Sequence, residues 1–192
     1  KLSLEKIEIN NFRFLKSDGW RGEDMHLELG SVVLYAKDIN LQKKIIDFKE
    51  INIDKPVFSI TQYKGRRPNH LIPKTDLTAK WNPDNWQFSV GNINIKRGKF
   101  SSDIKTKRAV YAYFDTEHLL FKNLDASFKN IRLTQDTMTA MVHLKADERS
   151  GFKINALDAT WKMHPKEMSF TNLSIITPHS RDRKSTRLNT SH

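Results

Sequence analysis

Cysteine is absent from this 192-residue chain. That excludes disulfides, zinc-thiolate sites and a cysteine nucleophile, and it leaves the redox compartment open. Long apolar runs are missing too. The longest clear one, Val32 to Ala36, falls far short of the roughly 18–20 residues that cross a bilayer as a helix. No G-x-S-x-G elbow, phosphate-binding glycine loop or H-E-x-x-H pair occurs. The seven histidines (His26, His70, His118, His143, His164, His179 and His192) lack metal-ligand spacing and read as surface or strand-edge residues. Carboxylates fall mostly on the polar positions of strands, where solvation accounts for them. The chain therefore reads as non-enzymatic, without a cofactor. Acidic residues are also in deficit, 22 against 33 basic, for a formal net charge of +11, which invites an anionic partner such as nucleic acid, anionic lipid or glycan phosphate.

What is present is repetition. "INIDKPVF" at 51–58 recurs as "INIKRGKF" at 93–100, so that Ile51, Ile53 and Phe58 match Ile93, Ile95 and Phe100 at an offset of 42. Ile7, Ile9 and Phe14 carry the same spacing 44 residues upstream of the first copy. Such periods mark stacked structural units. A second echo pairs "LDASFK" at 124–129 with "LDATWK" at 157–162, placing Leu124, Phe128, Leu157 and Trp161 on apolar faces of two half-buried strands. Chance similarity among alternating strands is the competing reading of that echo.

Alternation with a period of two dominates elsewhere. Met138, Ala140, Val142, Leu144 and Ala146 point one way, "ERSG" at 148–151 reads as a turn, and the phase change near Ala156 and Leu157 predicts a β-bulge. Asp38 to Glu50 fits a helical stripe loosely, but its β-branched flanks favour strands. Residues 65–85, with Pro68, Pro73 and Pro83, read as a long irregular segment with a short helical turn at Thr75 to Lys80. Gly98 suggests a two-residue hairpin turn at Arg97 and Gly98 that pairs Ile95 with Phe100. Pro56 at the equivalent place suggests a bend or bulge at Lys55 and Pro56 instead.

Two segments mix bases with aromatics: Lys64, Arg66 and Arg67 through Lys74, Lys80, Trp81 and Trp86; and Lys96, Arg97, Lys99, Lys105, Lys107 and Arg108, followed by Tyr111 and Tyr113. Nucleic-acid binders stack bases on such aromatics, and membrane-surface proteins seat the same types at headgroups. A solvated polar face over core aromatics explains them equally. No RNP motif or KH loop accompanies them.

The chain opens on Lys1 without an initiator methionine and reads as a fragment of something longer. At its other end "DRKSTRLNTSH", residues 182–192, lacks apolar periodicity. It resembles the translated read-through of a sequencing adapter, with threonine at 190 where the adapter gives serine. It is read as a non-native disordered tail, leaving 1–181 as one β-rich unit. Removing it deletes three bases (Arg183, Lys184, Arg187) and one acid (Asp182), and the remainder stays strongly basic.

From Phe114 to Ser180 the order "FDTEHL", "LDASF", "ERSGFKI", "FTNLSIITPHS" resembles the N-terminal half of TamB (translocation and assembly module) proteins of Bacteroidetes-type bacteria, within the AsmA-like group. "INIDKPVFSI" and "INIKRGKF" resemble the recurrent strand units of the same family, and positions 61–89 match least. The resemblance implies an all-β, elongated, curved and mostly antiparallel sheet whose apolar face forms an open groove. It also implies a periplasmic rod, held in the inner membrane by an N-terminal helix that this fragment lacks. The implied partners are phospholipid acyl chains and, through a missing C-terminal region, an outer-membrane barrel assembly partner; no nucleic acid is expected. Groove residues would be Ile7, Ile9, Phe14, Ile51, Ile53, Phe58, Ile93, Ile95, Phe100, Leu124, Phe128, Leu157 and Trp161. A closed apolar core is the alternative for the same residues. The alternative function is a basic β-rich module binding nucleic acid or anionic glycan through Arg66, Arg67, Lys105, Lys107 and Arg108.

Overall fold

The computed structural model describes residues 5–68, 80–105 and 108–178, together with the backbone of 181–186. The alternating stretches become ten strands: β1 (Lys6–Asp18), β2 (Glu23–Asn40), β3 (Ile45–Asp54), β4 (Val57–Gln62), β5 (Gln87–Ile104), β6 (His118–Thr134), β7 (Thr137–Glu148), β8 (Lys153–His164), β9 (Glu167–Ile176) and β10 (Arg181–Thr186). Among the described residues there is no helix, and all ten strands belong to one sheet. Its order is β1-β2-β3-β5-β6-β7-β8-β9-β10, with β4 continuing the line of β3 between β2 and β5. Outer strands β1 and β10 do not pair, so the described sheet is open, not a barrel. The protein is all-β.

The 42-residue repeat is a register. β3 and β4 run parallel to β5, with Ile51 beside Ile93, Asn52 beside Asn94, Ile53 beside Ile95 and Phe58 beside Phe100. Like therefore stacks on like: Asn94 Nδ2 donates to Asn52 Oδ1 at 2.9 Å, and the Phe58 and Phe100 rings lie 6.0 Å apart. The upstream copy enters the same rows through β2, because Leu34 pairs with both Ile7 and Ile51, and Val32 with both Ile9 and Ile53.

Arg97 and Gly98 do not turn the chain. β5 runs through them, so Ile95 and Phe100 share a strand rather than facing each other across a hairpin. The left-handed residue is Arg97, at φ 57°, with counterparts at Asn11 (55°), Lys55 (51°) and Asn123 (50°). A single left-handed residue reverses the in-and-out alternation, as a bulge does. This puts Ile95 and Phe100, five residues apart, on one face: a Cβ at Gly98 would lie 3.4 Å from Ile95 Cγ2. The bend expected at Lys55 and Pro56 is the same device.

A second line of irregularity crosses at Lys49, Gly91 and Asn130 (φ 54°). There the strands come so close that a Cβ at Gly91 would meet Lys49 O at 2.6 Å. Beside this line sits the best-buried cluster, Phe48, Val90, Ile131 and Ala140, with Ile51, Ile93, Phe128 and Trp161 packed against it.

Residues 38–50 form the end of β2, a turn and the start of β3, not a helix. The "ERSG" turn holds, with Gly151 at φ 92°, and the pairing of β7 with β8 slips between Leu144 and Ala146, opposite the bulge expected near Ala156. Residues 65–68 and 80–86 are irregular as expected, while the helical turn at 75–80 falls largely outside the described residues. Where a structureless tail was expected from Asp182, residues 181–186 form β10 against β9. An exposed strand edge pairs with backbone whatever its side chains, which explains why a segment without apolar pattern joins the sheet.

Candidate functional site

Cross-strand partners point to the same side of a sheet, so the registers define continuous rows. One runs Ile7, Leu34, Ile51, Ile93, Phe128, Val142, Ala159. The next runs Ile9, Val32, Ile53, Ile95, Ala126, Leu144, Leu157, Ile175. A third, beyond the left-handed line, runs Phe14, Leu27, Phe58, Phe100, Phe121. Leu124 faces Gly98 beside it, and Trp161 lies between Ala140 and Phe170. All thirteen expected apolar positions thus fall on one sheet, and most are half-buried. The outermost, Ile9 (41% accessible) and Phe14 (46%), are exposed, while Val90 at the centre is 1% accessible. No charged side chain interrupts the first two rows.

The Phe row ends on a charge that the sequence reading missed. Glu148 pairs with Phe121, is buried, and accepts hydrogen bonds from the Ser150 N–H (2.7 Å) and hydroxyl. Burial alone would raise its carboxyl, but these donors outweigh it and hold it below the usual glutamate value.

The opposite face is polar. Asn94 bonds Asn52 and Glu50, Ser89 Oγ donates to Asp47 at 2.8 Å, and Arg97 Nε donates to Asp54 at 2.8 Å. The Arg97 guanidinium holds the Asp54 carboxyl below its ordinary range. An open depression of about 910 Å³ lies over this side, lined by Lys37, Asp47, Ser89, Asn130 and Arg132 among others. Its Lys37 is engaged by Asp47 at 3.0 Å. Among the described residues no group of three or more His, Asp or Glu could hold a metal ion, and no helix is long and apolar enough to cross a membrane.

The expected anion-binding residues divide. Arg66, Arg67 and Lys105 meet at one end of the sheet, where Arg66 N bonds Gly19 O, Arg67 N bonds Trp20 O and Lys105 N bonds Gln62 O. The Lys105 ammonium lies over the Tyr63 ring at 5.3 Å. Arg108 is already occupied: its guanidinium forks onto Asp115 at 2.6 and 2.8 Å, reaches Glu117 at 2.8 Å and stacks on Tyr111 at 4.1 Å. Lys107 lies outside the described residues. Comparison of the chain with protein-family models and with curated proteins finds no match.

Proposed function

We propose that this chain is a non-enzymatic segment of an envelope protein, a periplasmic β-surface along which phospholipid acyl chains travel between the inner and outer membranes. In this reading it also supports outer-membrane assembly through a barrel partner bound by another part of the parent protein. The observation that carries the reading is the pair of uninterrupted apolar rows that start on β1 and run to β8 and to β9. Hydrocarbon laid along them stays out of water at each step, worth roughly 0.8 kcal/mol per CH₂. Such a path needs no catalytic group. The similarity of "FDTEHL", "LDASF" and "ERSGFKI" to TamB proteins gives the reading its compartment and its cargo. The rival, a basic module for nucleic acid or glycan, rests on Arg66, Arg67 and Lys105 at one end and loses Arg108 to Asp115.

The test is photo-crosslinking in cells. A reactive residue replaces Ile53, Ile95 or Phe128 in the full-length parent, with Asn52 and Asn94 on the polar face as controls. Phospholipid captured at the first three and not at the controls supports the path. Capture of no lipid at any apolar position sinks it.

A further inference from the structure

β1 is an outermost strand, and among the described residues no strand lies beside its far edge. Ala36 N donates to Glu5 O at 3.1 Å, so Glu5, Ile7 and Ile9 turn their backbone groups toward β2. Lys6, Glu8 and Asn10 turn theirs outward. Such an edge recruits another strand unless brevity, proline or a run of like charge protects it. β1 has none of these: it is 13 residues long and free of proline, and residues 5–18 carry three acids and three bases. On a chain of net charge +11 this edge is itself neutral, so a second copy meets little repulsion from it. It also exposes Phe12 (41%) and Leu15 (65%).

We propose that two copies of this chain pair through β1, antiparallel about a two-fold axis that passes between Asn10 and Asn11 at right angles to the sheet. The left-handed Asn11 selects this register. It reverses the alternation, so that Ile7 and Ile9 before it share a side with Phe12 and Phe14 after it. The axis then sets Ile7 against Phe14 of the second copy and Ile9 against Phe12, each twice. On the polar side Glu8 meets Arg13, and at the ends Glu5 meets Lys16. Within one chain Glu8 is already paired with Lys6, and Arg13 Nε donates to Glu28 at 2.8 Å. The dimer joins these pairs into a row of alternating sign: Lys6, Glu8, then Arg13 and Glu28 of the second copy. These charged groups are largely exposed and fix register more than strength, which comes from the backbone bonds and the apolar contacts. Other registers fail. A slip of one residue turns apolar positions against polar ones. A slip of two sets Lys6 against Arg13 in one direction, and Ile7 against Lys16 in the other. The inference does not rest on the acyl-chain path, since the edge pairs whatever the apolar face carries.

Sedimentation velocity of the chain over a dilution series should show a monomer–dimer equilibrium. Glu8→Arg and Arg13→Glu each turn both central ion pairs into like-charge contacts and should weaken the dimer about tenfold or more. Mixed together, the two variant chains should form a heterodimer, because each supplies the sign the other lacks. Should either variant misfold by circular dichroism, cysteine gives a second measurement in a chain that has none of its own. Chains carrying Ile9→Cys and Phe12→Cys, mixed and oxidised, should link one to the other much faster than either links to itself. A monomer at every concentration would overturn the proposal. So would a dimer indifferent to both charge changes, an open-ended series of larger species, or cysteines that link without preference. A monomer whose β1 amides resist exchange at all dilutions would place another segment of the chain on this edge.

Discussion

A buried carboxylate needs donors on every side, and Asp115 has four: both terminal nitrogens of Arg108, and the backbone N–H groups of Tyr111 and Glu117. The Arg108 guanidinium, ahead of the backbone donors, holds the carboxyl well below the usual aspartate range. The sign of the pH effect follows. A carboxyl depressed in the folded state contributes its stability above the unfolded value, about 3.9, and loses it as pH falls from there toward the folded value. The loop should therefore loosen only under acid. Asp115→Asn is expected to be less stable than the parent at pH 7 and to show a flatter decline below about pH 4. Thermal melting of both chains from pH 7 to pH 3 would measure this, and parallel curves would remove Asp115 from the account. The sequence gives one hint of the arrangement, an Arg and an Asp seven residues apart around two tyrosines. A sequence reading assigns such an arginine to solvent because the pairing depends on how the loop folds back.

At the level of the strand, the left-handed residues decide which side chains share a face. Lys55 adopts φ 51° in the gap between β3 and β4, where a β-branched side chain is strongly disfavoured. Lys55→Ile should cost about 1–2 kcal/mol in urea unfolding, while Lys55→Gly should cost nothing or stabilise slightly. Equal effects of the two would mean that the conformation is not imposed at this position. The strands themselves were legible because alternation is a local signal, and so was the offset of 42. Its meaning was not, since stacking of parallel neighbours is settled by residues forty positions apart. Gly98 misled for a related reason: glycine after a charged residue looks like a hairpin turn, whereas it serves here where strands crowd, 3.1 Å from Leu124 O for any added Cβ. A usable clue was asparagine, which tolerates the left-handed region better than other side-chain-bearing residues and occupies it at Asn11, Asn123, Asn130 and Asn172.

Across the whole molecule, burial is graded rather than uniform. Every described strand belongs to one sheet and lies closest to its hydrogen-bonded neighbours. Stability then comes from crowding within the sheet, greatest where the second line of irregularity draws β3, β5, β6 and β7 around Val90 and Ile131. β1 has one neighbour and is mostly exposed, including Phe12, Phe14 and Leu15. Local opening should follow the same gradient, because segments with few buried apolar contacts open at lower free energy than the core. Amide hydrogen exchange is the measurement. Protection should be highest for amides flanking Phe48, Val90 and Ile131, and should fall toward β1 within the same chain. Uniform protection to the β1 edge would indicate that something covers the apolar rows, and they would then behave as an ordinary closed core. A steep gradient would mean that the rows near β1 are open to solvent, as a surface that receives acyl chains must be.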